Sequence, residues 1–297
     1  MPFQFTSDKT IVKQSLKISL AADTKKVEFA KTTGRNPKVN KIKEFELEVA
    51  NNVSRLGDDI PIQQSSIKWF EETAKYNYSY NFSWMNRPII QVPQDMVAMQ
   101  ELIYSIKPDL IIETGIAHGG SLIFSASMLA LLDMQDAITN SQMLNPKRSS
   151  RKVLGIDIDI RQHNRDAIQA HPMSSRITML EGSSTSGQIV EQVKEIAKDY
   201  QTILVCLDSN HTHEHVLAEL EAYAPLVTKN SYCVVFDTIV DDMPDDMYPN
   251  RPWSKSNNPK TAVREYIKNH SEFVIDKEIP HKLLITVAPD GYLKRVK

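Results

Sequence analysis

From residue 95 to the C-terminus the chain alternates short apolar runs with stretches of helical periodicity. The runs at 110–113, 153–157, 177–180, 202–207 and 232–236 are nearly continuous in Val, Ile and Leu. Strands written that way are covered on both faces, as in a parallel sheet. The helical stretches fall between them, at about 94–106, 121–132, 164–171, 188–199 and 214–224. Pro108 ends the first and Pro172 the third, because proline cannot donate the helical hydrogen bond. This alternation predicts an α/β fold, a doubly wound, Rossmann-like, mostly parallel sheet. Beyond a helix near 261–268, the runs 272–275 and 283–288 lie too close together for another crossover. Their spacing predicts a C-terminal antiparallel strand pair with no helix between the strands.

The first 94 residues follow a different pattern. Residues 1–60 are Lys-rich, contain neither Trp nor Tyr, and form an N-terminal helical extension. Ile42, Phe45, Val49, Val53 and Leu56 make a single stripe at helical spacing. The stripe predicts an amphipathic helix docked on its own domain, with a subunit contact in a homo-oligomer as the other use. Residues 8–40 read as weakly ordered or peripheral. Residues 61–94 form an aromatic cap, with Trp69, Phe70, Tyr76, Tyr78, Tyr80, Phe82 and Trp84 in one stretch. Such rings either pack the cap onto the core or wall a pocket for a ringed ligand. Residues 95–297 are the Rossmann-like domain.

Composition narrows the classes. Charged residues are 24% of the chain and hydrophobic ones 41%, enough to bury a core. Lys plus Arg is 35 against 37 Asp plus Glu, a balance that argues against a nucleic-acid partner. Cys206 and Cys233 sit inside apolar runs and read as reduced core thiols. The start of the chain has no apolar signal core, and the longest apolar stretch, 122–132, falls short of the ~20 residues a membrane span needs. A cytoplasmic protein without a membrane span is the expectation.

The candidate chemistry lies at the strand ends, since ligands of open α/β sheets bind outside the C-terminal ends of the strands. Glu113, Asp157, Glu181, Asp208 and Asp237 end five consecutive strands. Helix capping accounts for one or two acids there, but five on one rim repel unless cations or hydroxyls meet them. The first turn reads Glu113-Thr114-Gly115-Ile116-Ala117-His118-Gly119-Gly120-Ser121. After Gly115 the next glycine comes too late for a dinucleotide fingerprint, and the turn lacks the Gly-Lys-Ser/Thr of a phosphate loop. An acid at the strand end suits a ligand with a cationic end. Asp157 is placed to accept ribose hydroxyls, although it lies farther from Gly115 than the roughly 20 residues of dinucleotide sites. The polar loop 139–151 accounts for the excess. Glu181-Gly182-Ser183-Ser184 follows, where an adenine edge would lie.

Asp208 and Asp237 should end adjacent strands, a geometry suited to a hard divalent ion such as Mg²⁺. His211, His213 and His215 tempt a zinc reading. At a helix start, however, His211 and His215 share a face and His213 does not. His211, close to Asp208, reads better as a general base.

These motifs carry a resemblance. The run Ile112-Glu113-Thr114-Gly115-Ile116-Ala117-His118-Gly119-Gly120-Ser121 resembles the first motif of the family named for cephalosporin hydroxylase and rhamnosyl O-methyltransferase. Gly155-Ile156-Asp157-Ile158-Asp159-Ile160-Arg161, Glu181-Gly182-Ser183-Ser184 and Leu207-Asp208-Ser209-Asn210-His211-Thr212-His213 match its next three in order. The likeness covers about 76–297. It implies a class I S-adenosylmethionine-dependent methyltransferase, often Mg²⁺-associated and oligomeric. Carried over by position, Glu113 and Gly115 would meet the methionine part of the cofactor. Ala117, His118 and Ser121 would line the same turn. Asp157 would hold the ribose beside Ile158, with Gly182 and Ser183 near the adenine. Asp208 and Asp237 would be the metal carboxylates, with Asp208 and His211 catalytic. Some members carry an acidic pair after the fifth strand, where this chain has Phe236 before Asp237.

The expected activity is O-methylation of a hydroxyl on a saccharide or glycosylated metabolite, assisted by Mg²⁺. The rival readings are an NAD(P)-dependent oxidoreductase and a non-catalytic partner subunit of a biosynthetic hydroxylase complex. The polar, Pro-punctuated segment 241–258 should cover the pocket as a lid, with Trp253, Asn257 and Asn258 offered to a sugar. The aromatics of 76–84 should supply flat faces for the ring.

Overall fold

The apolar runs become the strands of one seven-stranded sheet in the computed structural model, which describes residues 40–297. The strands are β3 Leu110–Thr114, β4 Lys152–Asp157, β5 Ile177–Glu181, β6 Ile203–Leu207, β7 Tyr232–Val235, β8 Phe273–Ile275 and β9 Tyr292–Arg295. A separate two-stranded hairpin, β1 Phe82–Trp84 and β2 Arg87–Ile89, precedes them. Across the large sheet the order is β5-β4-β3-β6-β7-β9-β8. The first five pair in parallel, and β9 runs antiparallel between β7 and β8. The chain winds outward from β3 to β4 and β5, then returns to β6 on the other side of β3. That reversal makes the β3/β6 boundary the switch point, where a cleft opens at the strands' C-terminal ends.

The helices follow the expected periodicity. They are α1 Lys41–Asp58, α2 Ile60–Ala74, α3 Pro93–Ile106, α4 Gly120–Thr139, α5 Gln162–Gln169, α6 Gly187–Ala197, α7 His213–Tyr223, α8 Pro259–Asn269 and α9 Glu278–Leu283. Alternate strand residues face opposite layers, as the pleat requires. Ile111, Val153 and Leu204 pack with α3 and α4, whereas Leu110, Ile112 and Val205 pack with α6, α7 and α8. Cys206 and Cys233 lie buried in these layers, and burial pushes both thiols up, as inert core cysteines require.

α4 runs seven residues further than its apolar stretch suggested. By length and a mean hydropathy of 1.3 it could cross a membrane. Half of it is buried, and Leu122, Ile123 and Leu129 are fully enclosed in the domain core.

The chain's C-terminal part departs from expectation. The run 283–288 is not a strand, and a short helix, α9, does lie between the last two strands. The strand that pairs with β8 is β9, at Tyr292–Arg295. The reason is a buried side chain. Asp95 of α3 accepts from the backbone N–H of Val287 at 2.8 Å, from the Thr286 hydroxyl and from the Tyr292 hydroxyl at 3.1 Å. It takes the place of a strand neighbour, so this segment is apolar because it is buried rather than because it is extended.

The chain divides into two compact units, Met1–Glu46 and Leu47–Lys297. Of the first, only residues 40–46 are described, so the expectation for residues 8–40 falls outside the described residues except at Asn40. The predicted stripe does form a helix, α1, but none of its residues is buried, and Ile42, Phe45 and Val49 stay exposed. Val53 and Leu56, further along the same stripe, are half-buried.

Candidate active site

Gly115 leaves β3 at φ +89°, and a Cβ there would stand 2.1 Å from the carbonyl oxygen of Asp208. Only glycine lets the β3 and β6 ends approach this closely. The next two backbone N–H groups, of Ile116 and Ala117, donate to Asp157 Oδ2 at 2.8 and 3.1 Å. The Asp159 N–H donates to Oδ1 at 3.1 Å. Asp157 thus shapes the glycine turn and holds Ala117 at φ +46°, a conformation that alanine does not adopt unaided. A carboxylate has about four lone-pair sites, so one remains for a ligand. On the turn's other side Arg87 of β2 donates to the His118 carbonyl and to Asn164 Oδ1.

Glu113 lies beneath the turn. It is 4% exposed and accepts from the Ser121 hydroxyl at the start of α4. Burial pushes its carboxyl up to about 7, against the pull of that hydrogen bond. It lines a small adjoining cavity, with Gln91, Asp95 and Phe236, rather than the main one.

The other rim acids separate by partner. Glu181 pairs with Arg165 of α5. Asp208 and Asp237, at the ends of neighbouring β6 and β7, converge with His211. One ligand atom from each lies within 4.8 Å of the others, the one such three-residue group among the described residues. His211 Nε2 is 3.1 Å from Asp237 Oδ2, and the ring meets Trp253 edge-on at 4.7 Å. Asp237 stands at φ +54°, in the left-handed region that aspartate tolerates better than most residues. Loss of water contact, and then the neighbouring Asp237 charge, push the Asp208 carboxyl well above the usual range.

All three residues line a cavity of about 740 Å³, a size suited to a cofactor and a small acceptor. Gly115, Ala117, His118 and Ser121 line it. Asp157, Ile158, Gly182 and Ser183 lie outside its walls, at the ends of β4 and β5. Tyr78 lines the cavity and also packs edge-to-face on Trp69 at 4.8 Å and Phe82 at 5.1 Å. Tyr76 is exposed instead, and Trp84 packs on Phe124 at 4.9 Å with its N–H given to Ser127.

From the segment 241–258, Met243, Met247, Tyr248, Arg251 and Trp253 line the cavity. Its asparagines do not face the ligand space as sugar contacts. Asn258 is 0% exposed, caps α8, and donates to Asp241, Ser254 and Lys255. Asn257 Oδ1 accepts the His213 N–H at 2.8 Å. Both amides are spent on anchoring the loop, whose first residues are also held by Lys260 and Arg264 of α8. His213 turns to Thr261 and Glu265. His215 lies within 3.1 Å of both Ser184 and Ser209 and 3.4 Å from Glu219, bracing the β5 loop against the β6 loop. Gln91 and Asp95, which sequence reasoning did not single out, also reach this region, from a segment with no spacing signal toward the rim acids.

A doubly wound sheet, a glycine turn after its central strand and acids converging beside a cavity place a cofactor-type ligand site at the strands' C-terminal ends. Residues 76–296 match the model of the family described as rhamnosyl O-methyltransferase/CmcI, and the chain belongs to that family. It is 28% identical over 235 residues to the rhamnosyl O-methyltransferase of Mycobacterium bovis (strain BCG / Pasteur 1173P2), an alignment covering 76% of this chain and 84% of that protein. The Mycobacterium leprae (strain TN) rhamnosyl O-methyltransferase is 29% identical over 178 residues, 60% of this chain and 68% of that one. Among solved structures, a TDP-rhamnose 3'-O-methyltransferase of calicheamicin biosynthesis is similar at a TM-score of 0.45 and 16% identity, over 84% of this chain and 94% of that one.

Proposed function

We propose that the chain transfers the methyl group of S-adenosylmethionine to a hydroxyl of a saccharide or glycosylated metabolite, with a divalent cation held by Asp208 and Asp237. The convergence of Asp208, His211 and Asp237 in a cavity walled elsewhere by aromatic rings carries this reading. The names of the rhamnosyl-acting relatives agree with a sugar acceptor. The residues fit a hard cation, because two carboxylates from adjacent strands face one point and neither has a basic partner other than His211 among the described residues. When bound there, the ion would lower the pKa of the acceptor hydroxyl and help orient it.

The chain's own residues do the rest. Glu113 answers the cationic amino-acid end of the cofactor from beneath the turn, and Asp157 offers its free lone pair to the ribose. His211 Nε2 lies 3.1 Å from Asp237 Oδ2, and its imidazole is the group that receives the acceptor's proton. Trp253 meets the same ring edge-on and helps hold its orientation. The segment 241–258 excludes water from the cavity.

Methyl transfer to nucleotide sugars, free glycosides and phenolic acceptors, followed by mass spectrometry, tests the acceptor class. Preference for a planar catechol over every saccharide would overturn the sugar reading. A second expected result concerns Asp157. Asp157→Ala removes a charged acceptor for the ribose together with the anchor of the glycine turn, and hydrogen bonds to charged groups contribute about 1.5–3 kcal/mol each. Cofactor affinity by calorimetry should fall at least about tenfold. A folded variant that binds as tightly as the parent would remove Asp157 from the site.

A further inference from the structure

We propose that Gln91 supplies a third protein oxygen to the divalent-cation site, an inference that rests on the metal reading above. Gln91 lies on the short segment between β2 and α3, far in sequence from both carboxylates. Its side chain is 7% exposed and lines the main cavity. Its Nε2 stands 3.5 Å from Asp208 Oδ2, at the outer limit of a hydrogen bond. Its Oε1 is buried and has no hydrogen-bond partner. A buried amide oxygen without a partner is costly, and natural sites rarely leave one so.

Turning the amide by half a rotation exchanges its two ends and gives the carbonyl oxygen, rather than the nitrogen, to the side of Asp208. The two ends of a glutamine amide have nearly the same shape, so the turn needs no repacking. It places Oε1 where Nε2 now stands, about 3.5 Å from Asp208 Oδ2. Adjacent oxygens at right angles on a cation with bonds of about 2.0–2.6 Å lie roughly 2.8–3.7 Å apart. Two oxygens at that separation repel unless a cation lies between them, and amide carbonyls are ordinary ligands of hard cations. Nearby, Phe236 stands immediately before Asp237 and lines the small cavity together with Gln91 and Asp208. Its ring offers no ligand atom, whereas Gln91 lines both this cavity and the main one beside Asp208. The ion would thus be held from three separate elements: Asp208 after β6, Asp237 after β7, and Gln91 before α3.

The alternative is that Gln91 only donates to Asp208. Two variants of the full-length protein separate these roles, because they respond with opposite sign. Mn²⁺ binding is read by calorimetry and by its electron paramagnetic resonance signal, beside cofactor affinity and thermal midpoint. With Gln91 as a ligand, Gln91→Leu weakens Mn²⁺ about tenfold or more. Gln91→Glu, which adds a charged oxygen, binds Mn²⁺ at least as tightly as the parent, and neither variant changes cofactor affinity by more than about twofold. If Gln91 only donates, Gln91→Glu is the worse variant, because it sets a carboxylate against Asp208; that order overturns the proposal. Mn²⁺ affinity unchanged in both variants also overturns it while leaving the metal reading intact. A parent protein that binds no Mn²⁺ overturns both.

Discussion

Asp208→Asn should lose methyl transfer by at least about a hundredfold and yet leave a more stable chain. Metal assistance contributes several kcal/mol to transition-state stabilisation, and each 1.36 kcal/mol is a factor of about ten in rate. The variant removes one of two carboxylates facing the proposed cation while keeping the shape of the side chain. Without the cation, the charges of Asp208 and Asp237 oppose each other across a partly dehydrated gap, and Glu113 adds to the same field. A neutral amide relieves that repulsion, so in chelator the thermal midpoint should rise. Function here opposes stability, a common condition of active sites. Turnover with saturating cofactor and thermal unfolding in chelator measure the two halves. An active Asp208→Asn protein would remove the acid from the chemistry. A lower midpoint would show that Asp208 is a structural acceptor.

Cofactor affinity should tighten about tenfold between pH 6 and pH 8, and Glu113→Gln should abolish that dependence. Burial holds the Glu113 carboxyl at about 7, so at pH 6 most of the population is neutral. A neutral carboxyl cannot answer an ammonium, and binding must first remove the proton. Affinity therefore rises through the titration and levels off above it. The sign for the free protein is the reverse. The folded-state value lies above the unfolded one, so the contribution to stability is complete below about 4.5 and is lost as pH rises through 7. Asp95 behaves alike, held at about 6 by burial despite its hydrogen bonds from Thr286, Val287 and Tyr292. A tenfold change in acidity between the folded and unfolded chain is equivalent to about 1.36 kcal/mol, so the two groups remove on the order of 3 kcal/mol apiece once both are ionised. Glu113→Gln should accordingly gain stability over the parent as pH rises from 5 to 8. Calorimetric titrations and denaturant midpoints across that range check both signs. A pH-independent affinity in the parent would place the cofactor's ammonium elsewhere.

The strands were legible because parallel strands covered on both faces must be written in Val, Ile and Leu, and such runs are hard to mistake when helices separate them. The error came where that logic lapses. Residues 283–288 have strand-like composition, but their backbone groups bond to a carboxylate and a distant loop instead of a neighbouring strand. Short apolar runs cannot tell these cases apart. Asn257 and Asn258 mislead in the same way. Their amides looked free to meet sugar hydroxyls, but the loop that carries them needed those hydrogen bonds to close on α8.

What the sequence determined alone is whatever depends on neighbours within a few residues. The two-faced strands, the glycine turn after β3 and the acids at the strand ends all follow from local patterning and from the rule that strand ends carry the site. The tertiary structure decided which of those acids meet. Glu181 is neutralised by Arg165, and Glu113 is enclosed beneath the turn. Asp157 holds the loop backbone, and only Asp208 and Asp237 share a point with His211. Gln91 joins them from 117 residues away, and Asp95 reaches Val287 across 192. Contacts of that separation leave no periodicity in the chain. They arise from strand order, because the return from β5 to β6 sets the β3 and β6 ends side by side and brings the segment before α3 against them.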